Sequence, residues 1–446
     1  MAIRSSEKDV SQQNQRIFSF DWYRTLPEQA VHAFWAAFMG WALDAFDFQV
    51  FSLALTAIAA TFALSKGQSG LIATVTLVVS AIGGVMAGTL ADRIGRVRTL
   101  MVTIAVYAIF TFLSGLAPNY GLLLTFRALQ GLGFGGEWAA GAILVAEVAN
   151  PVQRGRVLGM VQSAWAIGWG LAVVMYTIIF SLVPPELGWR ILFMLGILPA
   201  LLILYVRKSV REPEVYAKTR EAEEQETSEA VQRGTLSGGQ VTRESSLLQI
   251  FRRDLIGTTA AASLLSIGAQ GGYYSIFTWL PTFLKDSRHL TIVNTGAYLA
   301  TVIIGSFLGY VVSGYINDWI GRRATFVLFA ISSAALIVLY TQIPVGANVL
   351  LLVLGVPLGF FASGIFSGFG SYLAELYPSR ARGAGQGFVY NFGRAVGAFF
   401  PAIVGFLSVS IGLAGAVAFG ALAYGLCLLA LIFLPETKGK AFVALD

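Results

Sequence analysis

The chain has 446 residues, 56% of them hydrophobic and 12% charged, against about 25% charged in a soluble domain. A soluble chain of this length would divide into two or three cores. Here the apolar residues fall instead into runs of about 20, the length that crosses a ~30 Å hydrocarbon layer. The net charge of +6 does not indicate nucleic acid, because the basic residues mark one side of a set of membrane spans.

In chain order, residues 1–27 form a polar tail with no apolar stretch of the kind a cleaved leader carries. Six spans follow within 28–207, near 28–63, 68–91, 99–117, 120–147, 156–182 and 188–207. Residues 208–253 are rich in Glu, Arg, Ser and Gln and read as a linker, with a surface helix expected at 213–232. Six more spans occupy 254–434, near 254–283, 292–317, 324–342, 346–375, 384–409 and 412–434, and 435–446 is a second tail. The expected architecture is all-α, with twelve transmembrane helices. Gly is abundant at 49 residues, which suits close helix packing in lipid.

Alternating the sides of these spans puts Lys66, Arg190, Lys285 and Arg288 on one face and Arg127 and Arg394 within spans. The other 24 of the 30 Lys and Arg residues lie on the opposite, basic face or in the linker and tails. The positive-inside rule makes the basic face cytoplasmic and puts both termini there. Cys427 is the only cysteine and lies in an apolar run, while His32 and His289 are far apart in sequence, so neither a disulfide nor a metal site is expected. No G-x-x-x-x-G-K-[ST] phosphate loop occurs. Neither an enzyme nor an ATP-driven machine is indicated, and no cofactor is expected beyond a coupling proton.

The two six-span halves repeat one another. GTLADRIGR at 88–96 recurs as GYINDWIGR at 314–322, and Glu147, Arg154, Gly155 and Gly159 recur as Glu375, Arg382, Gly383 and Gly387. Such halves place a solute site on their pseudo-two-fold axis near the bilayer midplane. GTLADRIGR resembles the loop signature of the major facilitator superfamily, and the six-plus-six pattern extends the resemblance over nearly the whole chain. LDAFDF at 43–48 resembles the first span of the sialate:proton symporters. RALQGLGFGGEW at 127–138 is similar to the fourth span of that family and of the metabolite:proton symporters. PETKG at 435–439 is similar to the end of many sugar porters. The resemblance implies a major facilitator fold of two pseudo-symmetric halves, working as a monomer in a bacterial inner membrane. It also implies a gate at the basic surface, formed by Asp92, Arg93, Arg96, Asp318 and Arg322, with Glu147, Arg154, Glu375 and Arg382 as a second layer.

Ionisable groups within spans are unfavourable unless paired, and each is a functional candidate. Asp44 and Asp47 share a face of span 1 with Gly40 and Phe51. Span 4 presents Arg127, Gln130, Phe134, Glu137 and Gly141 on one stripe, and Arg127 reaches the depth of the span 1 acids. An Asp–Arg pair between spans 1 and 4 is therefore expected. Asp44, Asp47 and Glu137 are each either a proton carrier or a fixed partner of Arg127. Arg394 lies ~15 Å into span 11, beside Tyr390 and Asn391, and the second half offers no comparable acid. Gln270 and Tyr273 stand at the repeat positions of Asp44 and Asp47. An arginine without an acid suits a ligand carboxylate, which it grips with two parallel hydrogen bonds. Gln162, Trp165 and Trp169 of span 5, Gln270, Tyr273, Tyr274 and Phe277 of span 7, and Tyr310 and Ser313 of span 8 either line the cavity or are ordinary packing.

The expected function is proton-coupled symport of a small organic anion by alternating access, with a monocarboxylate such as lactate or pyruvate first. Arg394 and Arg127 would serve the anion, and one of the three acids the proton. Sialate, an aromatic acid and a neutral sugar or polyol are the alternatives. The sialate carriers it resembles have extra spans between the halves, which residues 208–253 do not supply, and a neutral solute leaves Arg394 without a purpose.

Overall fold

In lipid every backbone N–H and C=O must be satisfied within its own segment, and the apolar runs are accordingly helical. A computed structural model describes residues 21–24, 26–148, 154–211, 246–378 and 381–438. Spans 1–5 are α1 (Glu28–Thr61), α2 (Lys66–Ile94), α3 (Arg96–Gly115), α4 (Tyr120–Val148) and α5 (Arg154–Leu182). Span 6 is α6 (Pro185–Met194) and α7 (Ala200–Ser209), separated by a tight turn ahead of Pro199. Span 7 is α8 (Ile256–Thr282), which runs into a π-helical turn at Phe283–Ser287. Spans 8 and 9 are α9 (Ile292–Ile320) and α10 (Arg322–Gln342), and span 10 is α11 (Asn348–Gly364) with α12 (Ser367–Leu376). Span 11 is α13 (Arg382–Gly397) with the first part of α14 (Phe399–Gly420), and span 12 is the rest of α14 with α15 (Ala423–Phe433).

The sequence reading treats every span as one continuous helix, whereas spans 6, 10, 11 and 12 are broken. The boundary between spans 11 and 12 lies inside a continuous stretch at Gly412, whose φ of 75° is favourable only without a Cβ. Among the described residues nine stretches are long and apolar enough to cross a membrane, Ala384–Phe433 being one of them. Dividing that stretch at Gly412 and adding spans 4 and 7 gives twelve. Those two carry Arg127, Gln130 and Glu137, and Gln270, Tyr273 and Tyr274. The expected helix at 213–232 lies outside the described residues.

The repeat is visible in backbone geometry. Gly95 and Gly321, the matching glycines of the two signature loops, have φ of 102° and 97°. In the first half Gly83, Gly131 and Gly135 let spans 2 and 4 touch backbone to backbone. Gly305, Gly309 and Gly359 do the same for spans 8 and 10.

The halves meet through spans 2 and 11, 5 and 8, and 1 and 7. Thr74 donates to the Ala398 carbonyl at 2.7 Å, Gly70 lies under Pro401 and Ala402, and Gly296 of span 8 lies against Thr177 of span 5. These contacts fall in the half of the membrane away from the basic face. Toward the basic face, a Cβ at Gly159, Gly314 or Gly387 would meet no atom of another described segment within 4 Å.

Candidate functional site

The buried charges of the first half separate into two clusters. Asp47 meets Arg127, with Oδ2 3.5 Å from Nη1, and accepts a hydrogen bond from the Gln130 amide. The Arg127 guanidinium lies between the rings of Phe51 and Phe193, 5.0 and 5.6 Å from their centroids. This is the Asp–Arg bridge between spans 1 and 4. It occupies Arg127, which the sequence reading also offered to substrate, and leaves it fully buried.

One turn closer to the basic face, Asp44 turns to Glu137, and their carboxyls lie within hydrogen-bonding reach of each other. Both are fully buried, and neither Asp44 oxygen nor Glu137 Oε1 receives a hydrogen bond from a described donor. Glu137 Oε1 sits directly against Gly40, where a Cβ would collide with it. Asp44 and Asp47 thus share a helical face without sharing a partner. Behind them the Tyr107 hydroxyl of span 3 is buried without a hydrogen bond and lies in the field of Asp44, Glu137 and Asp47. The sequence reading missed Tyr107 because nothing in span 3 alone shows which residue turns toward the acids.

In the second half Arg394 is 2% exposed. Its guanidinium lies between Phe134 of span 4 and Tyr390 of its own span, 5.4 and 5.2 Å from the ring centroids. Its Nε and Nη1 make no hydrogen bond, and no carboxylate within ion-pair distance occurs among the described residues. The Tyr274 and Tyr390 hydroxyls lie beside it, and Asp44 lies within its field. Arg394 from one half and the Asp44–Glu137 pair from the other therefore converge near the midplane.

Aromatic rings fill the space around them. Phe48 stacks on Phe134 at 6.2 Å and lies 5.8 Å from both Trp165 and Tyr274. Trp165 Nε1 donates to the Tyr273 hydroxyl at 2.7 Å, joining spans 5 and 7, and Tyr310 adjoins Tyr273. Gln270 donates to the Tyr390 carbonyl at 2.8 Å and accepts from the Tyr274 hydroxyl at 3.1 Å, so it fixes the arginine's neighbours rather than facing the cavity. Asn391 donates to the Gly387 carbonyl and packs on Gly84 of span 2. Gln162 is half-buried on the face of span 5 that carries Trp165. Phe48 and Trp41, which lies 4.9 Å from Trp165, belong to this wall and were not expected from sequence.

Of the expected gate, the side chains of Asp92, Arg93, Arg96, Glu147, Arg154, Asp318 and Arg382 lie outside the described residues. Arg322 binds Glu375 with two hydrogen bonds, the shorter 2.9 Å, which ties spans of the second half to each other. The second tail is partly folded: the Glu436 carboxylate accepts from the backbone N–H groups of Arg322, Arg323, Thr437 and Lys438 at 2.9–3.0 Å and so caps the start of α10.

Twelve spans in two repeated halves, closing on a buried polar site at mid-depth, define a secondary membrane transporter. Residues 37–346 and 296–445 match the Major Facilitator Superfamily, and the chain belongs to that family. It is 40% identical to the "probable 4-methylmuconolactone transporter" of Cupriavidus pinatubonensis over 95% of this chain and 94% of that one. It is 30% identical to the "cis,cis-muconate transport protein" of Acinetobacter baylyi, over 91% and 94% of the two chains. Among solved structures, the proton:xylose symporter XylE of E. coli superposes with a TM-score of 0.72 at 21% identity, covering 93% of this chain and 98% of that one. That likeness establishes the fold. The chain is a transporter and not an enzyme.

Proposed function

We propose that the protein couples proton movement to uptake of a small, flat, unsaturated or aromatic carboxylate across the bacterial inner membrane, as a monomer with its basic face in the cytoplasm. The observation that carries this reading is Arg394, a buried guanidinium stacked between rings with Nε and Nη1 unoccupied. Stacking takes the faces of the guanidinium and leaves the Nε and Nη1 N–H groups at its edge to donate charge-assisted hydrogen bonds to a carboxylate. The ring wall of Phe48, Phe134, Trp165 and Tyr274 offers flat apolar surface to an unsaturated body. Lactate and pyruvate, the first expectation from sequence, leave that wall uncovered. The names of the muconate and muconolactone carriers that the chain resembles also favour the larger planar acids.

Asp44 and Glu137 supply the proton site. Two carboxyls facing each other out of water are satisfied by a proton between them, and opening the cleft to one side lets that proton leave. Asp47 is committed to Arg127 and holds the fold instead.

The deciding experiment is uptake into proteoliposomes of cis,cis-muconate, nicotinate, benzoate, lactate, sialate and xylose, with and without an inward proton gradient. Planar carboxylates are expected to accumulate with the gradient and to lose uptake in Arg394→Ala. Faster accumulation of lactate or of xylose would refute the substrate class, and uptake indifferent to the gradient would refute the coupling.

A further inference from the structure

Four cations mark the face opposite the basic one, and their partners differ. Arg190 donates to the carbonyls of Gly115 and Ala117 at 3.0 and 2.8 Å and covers Trp189. Arg288 donates to the carbonyls of Ile343 and Thr341 and covers Phe283. Lys66 is exposed at the start of α2. Lys285 is half-buried in the π-helical turn that ends span 7. Its ammonium makes no hydrogen bond or ion pair with a described residue, and its neighbour in sequence, Asp286, is exposed. What it faces is the Tyr176 ring of span 5, 5.8 Å from its centroid, across the boundary between the halves.

Tyr176 is itself fully buried, and its hydroxyl has no hydrogen-bond partner. From this point inward, more buried polar groups lie unpaired on the same two spans: Thr282 Oγ1, Thr278 Oγ1 and Trp169 Nε1. Trp169 meets Phe277 edge-on at 4.9 Å, and one turn deeper Trp165 bonds Tyr273 at the ring wall. Buried polar groups are normally satisfied. Spans 5 and 7 touch at Trp165–Tyr273, Trp169–Phe277 and Tyr176–Lys285, and unsatisfied groups on both fit a passage that is wet when the halves part on this side and dry when they close.

We propose that Lys285 and Tyr176 form an outer receiving subsite for a carboxylate, separate from Arg394. This rests on the organic-anion reading above. With the seam open, Tyr176 leaves the ammonium, which is then free to hold the incoming carboxylate. As the seam closes, the ring returns over the ammonium, offering a cation–π contact, and the anion passes down the seam to Arg394. The subsite thus raises the capture rate without adding to the final affinity. Its signature is a charge effect on uptake at low substrate that weakens with salt.

The test compares wild type with Lys285→Gln and Lys285→Arg in proteoliposomes, using whichever of muconate, nicotinate and benzoate the wild-type protein takes up fastest. Lys285→Gln is expected to lower kcat/KM about three- to tenfold at low ionic strength, less at high salt, with the maximal rate nearly unchanged and Lys285→Arg close to wild type. Curves for Lys285→Gln that overlay wild type at low ionic strength would overturn the subsite. Should that variant fail to fold, Lys285→Cys can be modified, since the native Cys427 is buried. An aminoethyl thiosulfonate, which restores a cation, is expected to restore capture, and the neutral methyl reagent is not. Equal effects of the two reagents would overturn the idea. A wild-type protein that takes up none of these acids removes the organic-anion reading itself, whereas uptake that is blind to charge at 285 removes only this subsite.

Discussion

The two halves hold their charge in opposite ways. In the first half the buried arginine is matched internally, Arg127 by Asp47, while two acids, Asp44 and Glu137, face each other. In the second half the matched charges lie at the rim, where Arg322 binds Glu375 and Glu436 caps α10. Its core arginine, Arg394, lies between rings and beside the Tyr274 and Tyr390 hydroxyls, with no carboxylate within ion-pair distance among the described residues. Arg127 and Arg394 are both clasped between two aromatic rings, so stacking does not distinguish them. The carboxylate does. Arg127 has one beside it, and Arg394 has none within ion-pair distance among the described residues.

The largest expected effect follows from that difference. Arg394→Ala should lower kcat/KM for the carboxylate at least about thirtyfold, as truncating one partner of a buried hydrogen-bonded charge pair costs about 2–5 kcal/mol. Its thermal unfolding in detergent should hold or rise, because an uncompensated buried charge is removed. Arg127→Gln should do the reverse to stability, lowering it by about 3–5 kcal/mol by leaving Asp47 buried without its counter-charge. The Asp47→Asn, Arg127→Gln double variant should recover part of that loss. A double variant no more stable than the single one would dissolve the contrast between the two arginines.

A third test separates the acids. Glu137→Gln or Asp44→Asn should abolish accumulation driven by a proton gradient while counterflow exchange of the carboxylate continues. Asp47→Asn should instead reduce the amount of folded protein. Gradient-driven accumulation that survives Glu137→Gln would leave the proton site unassigned.

Much of this layout is legible in sequence because lipid makes polar residues conspicuous. Arg394, Asp44, Asp47 and Glu137 stand out in apolar runs, and the repeat offset at the signature loops reports the two halves. Which carboxylate faces which partner is not legible. Asp44 and Asp47 are one turn apart, and the packing of Glu137 on Gly40 decides their separation, a contact between spans that no single span encodes. Tyr107 and Phe48 are hidden for the same reason. Gly412 is one of 49 glycines, and only its φ distinguishes the one that turns the chain between spans 11 and 12.

The rim of the second half provides the smallest expected effect. PETKG reads in sequence as a shared ending, but Glu436 acts as a cap for the start of α10, where Gly321 leaves room for its carboxylate. Partial burial opposes its charge, and the N–H groups of Lys438, Arg322, Arg323 and Thr437 outweigh that, so its carboxyl titrates below the ordinary 4.5. A carboxylate lowered on folding stabilises the folded state above its unfolded pKa, and the contribution is lost as pH falls through the folded value. Melting temperature in detergent should therefore be lower for Glu436→Gln than for wild type at pH 7, and the gap should close as pH is lowered below about 4.5. Because Glu436 is exposed and screened, the difference at neutral pH should stay under about 1 kcal/mol, well below that of Arg127→Gln. A Glu436→Gln loss as large as that of Arg127→Gln would mean that the rim, and not the core pair of the first half, anchors the frame.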